Sequence, residues 1–310
     1  MNVATGAQAL ADFIRRHPRL VVLSGAGCST PSGIPDYRDA SGNWKPGPPV
    51  LGAQFVRELP ARQRYWARSL NGWPRFQAAR PNGAHRALAR LEQHGYVRHL
   101  ITQNVDGLHQ HAGSRAVTEL HGSLARVRCL ACGDVCARAM VQRMLERDNP
   151  GFMNLDAAPA PDGDAQLEAR GLGDFRVPDC PRCGGMLKPD VVFFGESVPA
   201  PTVANCLDAL AQADALLCVG TSLMVYSGFR FCRHAVARGQ PVAALNLGRT
   251  RADDMLALKV AAACDEVLGV LDLDSPEVDR FGEEDRDGLQ AVVDVLLGGS
   301  DLWSAFGTSG

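Results

Sequence analysis

Residues 20–38 read LVVLSGAGCSTPSGIPDYR. The run Leu20-Val21-Val22-Leu23 is short and wholly apolar, the pattern of a strand buried on both faces. It ends in Ser24-Gly25-Ala26-Gly27, where missing side chains let the backbone come close to a ligand. Backbone N–H groups in such a turn, helped by a helix N-terminus behind it, suit a pyrophosphate. The usual dinucleotide fingerprint wants a further glycine at position 30, which is Thr30 here. A plain tight turn is the competing reading. Gly33-Ile34-Pro35-Asp36-Tyr37-Arg38 is too rigid and charged for a helix, and reads as a loop over the ligand.

Alternation spreads outward from this stretch. Leu10, Phe13 and Ile14 lie at helical spacing within 5–17, ahead of the strand. Residues 39–49 are rich in Gly and Pro and read as a mobile cover. Helical patterns run over about 51–70 and 84–94, then 96–101 reads as a strand. A helix over 202–213, a strand at 214–219, a helix over 227–238 and a strand at 241–245 follow. Strand–helix alternation with short links predicts an α/β fold with a Rossmann-like, doubly wound parallel sheet.

The chain has 310 residues, 46 % of them hydrophobic, enough for a large core. Its net charge of −2 gives no basic field, so neither nucleic acid nor a membrane surface is an expected partner. No apolar run reaches the ~20 residues of a membrane span. Of ten cysteines, Cys206, Cys218 and Cys232 fall inside apolar patterns. Buried thiols of that kind fit a reducing compartment, and the cytoplasm is the expected location.

Cys129-Leu130-Ala131-Cys132 and Cys180-Pro181-Arg182-Cys183 are two knuckles, each followed by glycine. Four thiolates from two such pairs make a closed, tetrahedral, structural zinc site. A single redox-active pair is the weaker alternative, since there are two knuckles. The 47-residue gap between them predicts a long insertion, with 148–175 as a loop and not a packed helix. The predicted module is inserted and smaller than the sheet domain.

Other polar residues read two ways from pattern alone. Tyr65 and Arg68 lie three apart on one helix face, as a surface pair or as part of a pocket. Asn104 and Asp106 follow the 96–101 strand, as helix caps or as ligand contacts. Periodicity does not choose among His109, His111 and His121.

The motifs together resemble those of the sirtuins, the NAD-dependent protein deacylases. GAGCSTPSGIPDYR (25–38), TQNVDGLH (102–109), His121-Gly122, the split cysteine pairs, KPDVVFFGE (188–196), GTSL (220–223) and LNLG (245–248) stand in that family's order. The resemblance covers about 8–271. Tyr37, Arg64 to Arg68 and LNLGRTRADD (245–254) are similar to its class II branch, the one containing the fourth human sirtuin.

The resemblance implies roles. NAD, as co-substrate, would meet Gly25, Ala26, Gly27, Ser29, Asp36, Tyr37, Arg38, Gln103, Asn104, Asp106, Gly220, Thr221, Ser222, Asn246, Leu247, Gly248 and Cys264. His121 would be the general base, with Asn104 beside it. Acylated protein lysines would lie against Val191, Phe193, Phe194, Gly195 and Val225 by strand addition. Tyr65 and Arg68 would face the acyl group, and an arginine there suits an acidic one. Products would be nicotinamide, free lysine and O-acyl-ADP-ribose.

The implied layout is a catalytic domain over 1–272. Its NAD-binding part comprises about 1–38, 95–124 and 188–272, its helical part 39–94 and its zinc module 125–187. Residues 273–310 would add an acidic linker and a helix at 289–297, on a chain acting as a monomer. Mono-ADP-ribosyl transfer and a catalytically weak NAD-binding interaction protein are the alternatives. An oxidoreductase is disfavoured by the missing third glycine.

Overall fold

The computed structural model describes residues 2–39, 41, 43, 45, 50–153, 159–160, 164–165 and 171–270. Helix α1 (Val3–Arg16) opens the chain, and the Asn2 side chain caps it by accepting from Thr5 N at 2.8 Å. Strand β1 (Leu20–Ser24) leads into two 3-10 turns, Ala26–Cys28 and Thr30–Ser32. Helices α2 (Gly52–Arg57), α3 (Leu59–Ala78) and α4 (Gly83–Gln93) precede β2 (Val97–Thr102). Then come α5 (Leu108–His111), β3 (Val117–Glu119), β4 (Gly122–Cys129), β5 (Val135–Ala137) and α6 (Arg138–Asp148). Short strands β6 (Pro159–Ala160) and β7 (Asp164–Ala165) precede β8 (Leu187–Val191). The last elements are α7 (Ala200–Ala211), β9 (Ala215–Val219), α8 (Tyr226–Ala237), β10 (Val242–Leu245), β11 (Leu258–Val260) and α9 (Cys264–Val270).

The large sheet is parallel throughout, in the order β11-β10-β9-β1-β2-β3. The β1 run explains its central place. Leu20 and Val22 pack into one apolar layer with α1, α4 and α9, while Val21 and Leu23 pack into the opposite layer with α7 and α8. Both faces are covered, so every residue of β1 and β9 is buried. The chain reverses its winding between β1 and β9, and ligands collect at the carboxyl ends of strands beside such a point.

Strands β4, β5 and β8 form a separate antiparallel sheet, in the order β5-β4-β8. The sequence reading assigned residues from 188 onward to the large part. The structure corrects this: β8 pairs with β4, from Gly122↔Val191 to Cys129↔Leu187, and the next strand of the large sheet is β9. An apolar strand of that kind fits either sheet by composition, and only its partner distinguishes them.

Two helical readings also change. The stretch expected as one helix over 51–70 is two helices broken at Glu58, with Pro60 in the first turn of α3. That helix runs on through Pro74 to Ala78. Proline at 74 leaves the Leu70 carbonyl without its usual N–H, and Gln142 Nε2 of α6 supplies one at 3.0 Å. The glycine turn after β1 has no α-helix directly behind it. Instead Asn82, the N-cap of α4, donates through Nδ2 to Cys28 O (2.8 Å) and Ser32 Oγ (2.9 Å).

Of the expected cover, Asp39 Oδ1 accepts from Ser41 N and Asn43 N, both at 2.9 Å, and Lys45 pairs with Asp36. Residues 154–158, 161–163 and 166–170 of the 148–175 insertion, and all of 273–310, including the helix expected at 289–297, lie outside the described residues.

Candidate active site

A cleft of about 1140 Å³ opens across the carboxyl ends of β1, β2, β9 and β10. Gly25, Ala26 and Gly27 form one wall; Gly220, Thr221, Ser222, Asn246, Leu247, Gly248 and Cys264 form another. The two walls touch: Gly25 N donates to Val219 O at 3.0 Å and Gly27 N to Gly220 O at 2.9 Å. A Cβ on Gly25 would lie 2.7 Å from Thr221 Cβ, and one on Gly27 2.9 Å from Gly220 O. Gly220 has φ +60°, and a Cβ there would strike Cys28 N. These glycines are therefore required first by backbone crossing backbone. Asp36, Tyr37 and Arg38 border the same cleft, with Tyr37 edge-on to Phe194 at 5.6 Å.

Gln103 and Asn104 leave the end of β2 into the cleft. Gln103 Nε2 donates to Thr221 Oγ1 (2.8 Å) and Ser24 O (3.2 Å). Asn104 Nδ2 donates to Gly25 O (3.1 Å) and Ser29 Oγ (3.0 Å). Ser29 and Asp106, expected to border the ligand, are not among the residues lining the cleft. They stand behind Asn104, where Ser29 Oγ donates to Asp106 Oδ2 at 2.7 Å and Leu108 N donates to Asp106 Oδ1 at 2.9 Å. Burial raises the Asp106 pKa, against those two hydrogen bonds.

Of the three histidines that pattern could not separate, His121 lines the cleft. His109 is buried below it, its Nε2 2.8 Å from Ser24 Oγ, and His111 is exposed on α5. His121 Nδ1 is 2.9 Å from Gln103 O, and its Nε2 is 2.9 Å from Ser227 Oγ. A carbonyl only accepts, so Nδ1 carries the proton and Nε2 presents a lone pair, to which Ser227 donates. Burial lowers the His121 pKa, the Gln103 contact opposes this, and the nearby Arg230 charge lowers it further. A neutral imidazole with a free-electron-pair nitrogen toward the cleft is what a general base requires.

The opposite wall is Val191 to Val198. His121 O accepts from Val192 N at 2.8 Å, which fixes this segment to the base. Lys188 and Glu196 pair at 3.0 Å, and Glu196 Oε2 accepts from Phe193 N at 2.8 Å, closing the turn. Val225 also lines the cleft. Tyr65 and Arg68 both reach the cleft from α3, and Tyr65 packs against Phe193 with ring centroids 5.2 Å apart.

The four knuckle cysteines converge. Cys129 and Cys183 have Sγ atoms 3.5 Å apart, and Cys132 and Cys180 3.9 Å apart. Four thiolates around zinc, each about 2.3 Å from it, stand about 3.8 Å from one another, so the set fits. Tight turns make this possible: Gly133 N donates to Cys129 O (3.0 Å) and Gly184 N to Cys180 O (2.8 Å). Cys136 on β5 is not one of the converging set. Four protein ligands leave no open position, so the ion would be structural.

The family model described as Sir2 family matches residues 25–227, which include the glycine loop, His121 and both knuckles. The chain belongs to the Sir2 family. A Sir2 relative from Xanthomonas campestris pv. campestris (strain 8004), named NAD-dependent protein deacetylase, is 60 % identical over 263 residues, covering 85 % of this chain and 90 % of its own. NAD-dependent protein deacetylase 2 of Bradyrhizobium diazoefficiens (strain JCM 10833 / USDA 110) is 58 % identical over 270 residues, covering 87 % and 99 %. A solved structure from work on the mechanism and regulation of Sir2 enzymes matches at TM-score 0.68 and 32 % identity, over 86 % of this chain and 95 % of that one. A solved Sir2 with a p53 peptide and NAD+ matches at TM-score 0.67 and 29 % identity, over 84 % and 95 %.

In this Sir2-family cleft, two residues carry contacts that sequence reasoning missed. Ser227 meets His121 only because the first turn of α8 lands there, and a helix-start serine was the one available hint. Arg230, one turn later on α8, lines the cleft and holds its guanidinium 5.2 Å from the centre of the Tyr226 ring. It shares the helix with Arg233 and His234, so the sequence alone does not single it out.

Proposed function

We propose that the chain is an NAD-dependent protein-lysine deacylase that releases nicotinamide and forms an O-acyl-ADP-ribose. One observation carries this reading: His121 is held neutral, with Nε2 toward a cleft walled by a glycine turn on one side and a peptide-width segment on the other. The glycine walls and the size of the cleft suit an extended dinucleotide. When bound, NAD supplies the nicotinamide leaving group and the ribose carbon that the acyl oxygen attacks. His121 Nε2 takes the proton of a ribose hydroxyl as Ser227 gives way. Gln103 and Asn104, each fixed by two hydrogen bonds, orient the ribose; Ser29 and Asp106 hold Asn104. Residues 191–195 and Val225 take the substrate backbone between them, so that main-chain bonds give affinity with loose sequence preference.

Tyr65 and Arg68 favour an acidic or bulky acyl group, in keeping with a class II branch membership. In this reading the parallel sheet holds NAD, the zinc-bearing sheet positions the substrate segment, and the enzyme acts as a cytoplasmic monomer on acylated proteins, without nucleic-acid or membrane partners. Among the described residues no helix is long and apolar enough to cross a membrane.

The deciding experiment measures nicotinamide release from NAD with lysine peptides bearing acetyl, succinyl, glutaryl, hydroxymethylglutaryl or lipoyl groups, beside a His121→Tyr control. Release that depends on the acyl peptide and is lost in the control is expected. No release on any peptide, with NAD still bound, would move the weight to mono-ADP-ribosyl transfer or an NAD sensor. For the acyl preference, Arg68→Ala should selectively weaken turnover of the carboxyl-bearing peptides. Unchanged selectivity would end that part of the proposal.

A further inference from the structure

Behind the cleft, three side chains meet that the deacylase reading does not use. Cys28, in the turn after β1, His85, in the first turn of α4, and His109, on α5, each place one donor atom within 4.8 Å of the other two. Their exposures are 0 %, 0 % and 1 %. Polar groups buried this deeply are normally saturated with hydrogen bonds. These are not. His109 Nδ1 is buried without a partner. His85 Nε2 reaches only Ser29 Oγ, at 3.5 Å. Among the described residues the Cys28 thiol has no hydrogen bond. The two rings lie 4.7 Å apart between centroids, tilted by 56°.

The orientation of His109 adds a second observation. Ser24 Oγ lies 2.9 Å from Thr102 Oγ1 and 2.8 Å from His109 Nε2, so Nε2 is held by a side-chain hydroxyl while Nδ1 is left over. When Ser24 donates to Thr102 and accepts from His109 Nε2–H, Nδ1 carries a lone pair that a metal ion can take. A metal-binding imidazole characteristically has its other nitrogen fixed in this way.

We infer that Cys28, His85 and His109 form a second, buried metal site, suited to a borderline or soft transition-metal ion. One thiolate and two imidazoles match the preferences of zinc(II), cobalt(II) or copper(I), and not those of magnesium or calcium. Metal–sulfur bonds of about 2.3 Å and metal–nitrogen bonds of about 2.0 Å require the donors to close to within about 4 Å of each other. Binding moves two protons. The Cys28 thiol proton leaves to solvent as the ion's charge replaces it. The His85 proton passes from Nε2 to Nδ1, which gives up the 3.3 Å bond from Asn82 N. The Asn82 side chain still caps α4 by accepting from Ala84 N at 3.0 Å. Ser29 Oγ borders the site and also holds Asn104 and Asp106, so an ion here disturbs the NAD side of the cleft.

The test uses the full chain with its four-cysteine site already filled with zinc, titrated with cobalt(II). Wild type should keep one zinc per chain, bind one cobalt in addition, and show a thiolate-to-cobalt charge-transfer band. NAD affinity should fall as the cobalt binds. Cys28→Ala should keep its zinc, lose the band and bind cobalt at least ten-fold more weakly. His109→Gln, whose amide still can donate to Ser24, serves as the second variant and should also bind cobalt more weakly. The proposal is overturned if wild type binds no cobalt beyond displacing its zinc, if the added cobalt shows no thiolate band, or if whichever variant folds binds cobalt as tightly as wild type.

Discussion

The Nε2 of His121 and the Oγ of Ser227 stand 2.9 Å apart, across 106 residues of sequence. Ser227 donates to the nitrogen that must take a proton, and so stabilises the neutral imidazole. Ser227→Ala should raise the His121 pKa and move the acidic limb of kcat/KM to higher pH. Turnover at neutral pH should fall several-fold, since a hydrogen bond of this kind is worth about 1 kcal/mol. Nicotinamide release measured from pH 5 to 9 checks this. An unmoved acidic limb would show that Ser227 does not tune the base.

The buried pair His85 and His109 sets the acid stability. Burial, then Arg86, lowers the His85 pKa to about 4; burial, then His85, lowers that of His109 to about 3. Both sit below the ordinary value of about 6.5, so the unfolded chain binds protons first as pH falls. Their stabilising contribution is complete above about pH 6.5 and shrinks toward the folded values. By pH 5 each histidine should have removed about 2 kcal/mol. Urea unfolding at pH 7 and pH 5 reads this directly, in a window above the ordinary carboxylate range. Equal stabilities would mean that the pair is already protonated or solvated.

Gly122 has φ +81°, and a Cβ on it would collide with Asp190 O of β8. Neither backbone can yield without unzipping β4 from β8, so Gly122→Ala should destabilise by about 3 kcal/mol or more. Because His121 is the preceding residue, activity should fall further than stability alone explains at a temperature where the variant is folded. A thermal melt and a rate measured well below the melt separate the two effects.

Zinc removal should abolish activity although the ion touches no substrate. Cys132→Ser should lower the bound zinc below one per chain and lower the melting temperature. Wild type stripped by a strong chelator should lose nicotinamide release in step with its zinc. Full activity in zinc-free protein would remove the structural role assigned to the knuckles.

The parallel sheet was legible because its strands are short apolar runs closed by glycine or a polar residue, as in Leu20–Leu23 and Ala215–Val219. The knuckles were legible because thiolate spacing is local. What sequence hid is what depends on a distant partner. The strand β11 is three residues with Lys259 in the middle, and only its pairing with β10 makes it a strand. Helix α3 continues through Pro74 only because Gln142 arrives from α6. The Asn104–Ser29–Asp106 chain was hidden for the same reason, since Ser29 and Asp106 meet only when the turn after β1 reaches the end of β2.

Strand β4 starts at the residue after His121 and ends at Cys129, and the span is crossed by the five residues of β8, about 14 Å. Its partner β8 begins opposite Cys129 and finishes opposite Gly122. Whatever is spliced in between the two knuckles therefore departs and returns at the end remote from the base. Such an insert can change where it does not pack back on α3, whereas Gln63 holds the Gly173 and Phe175 carbonyls and Leu172 and Phe175 are buried there. Descent can thus remodel which proteins approach the cleft without re-evolving the proton-transfer apparatus, and the zinc marks the border between the part free to diverge and the part that is not.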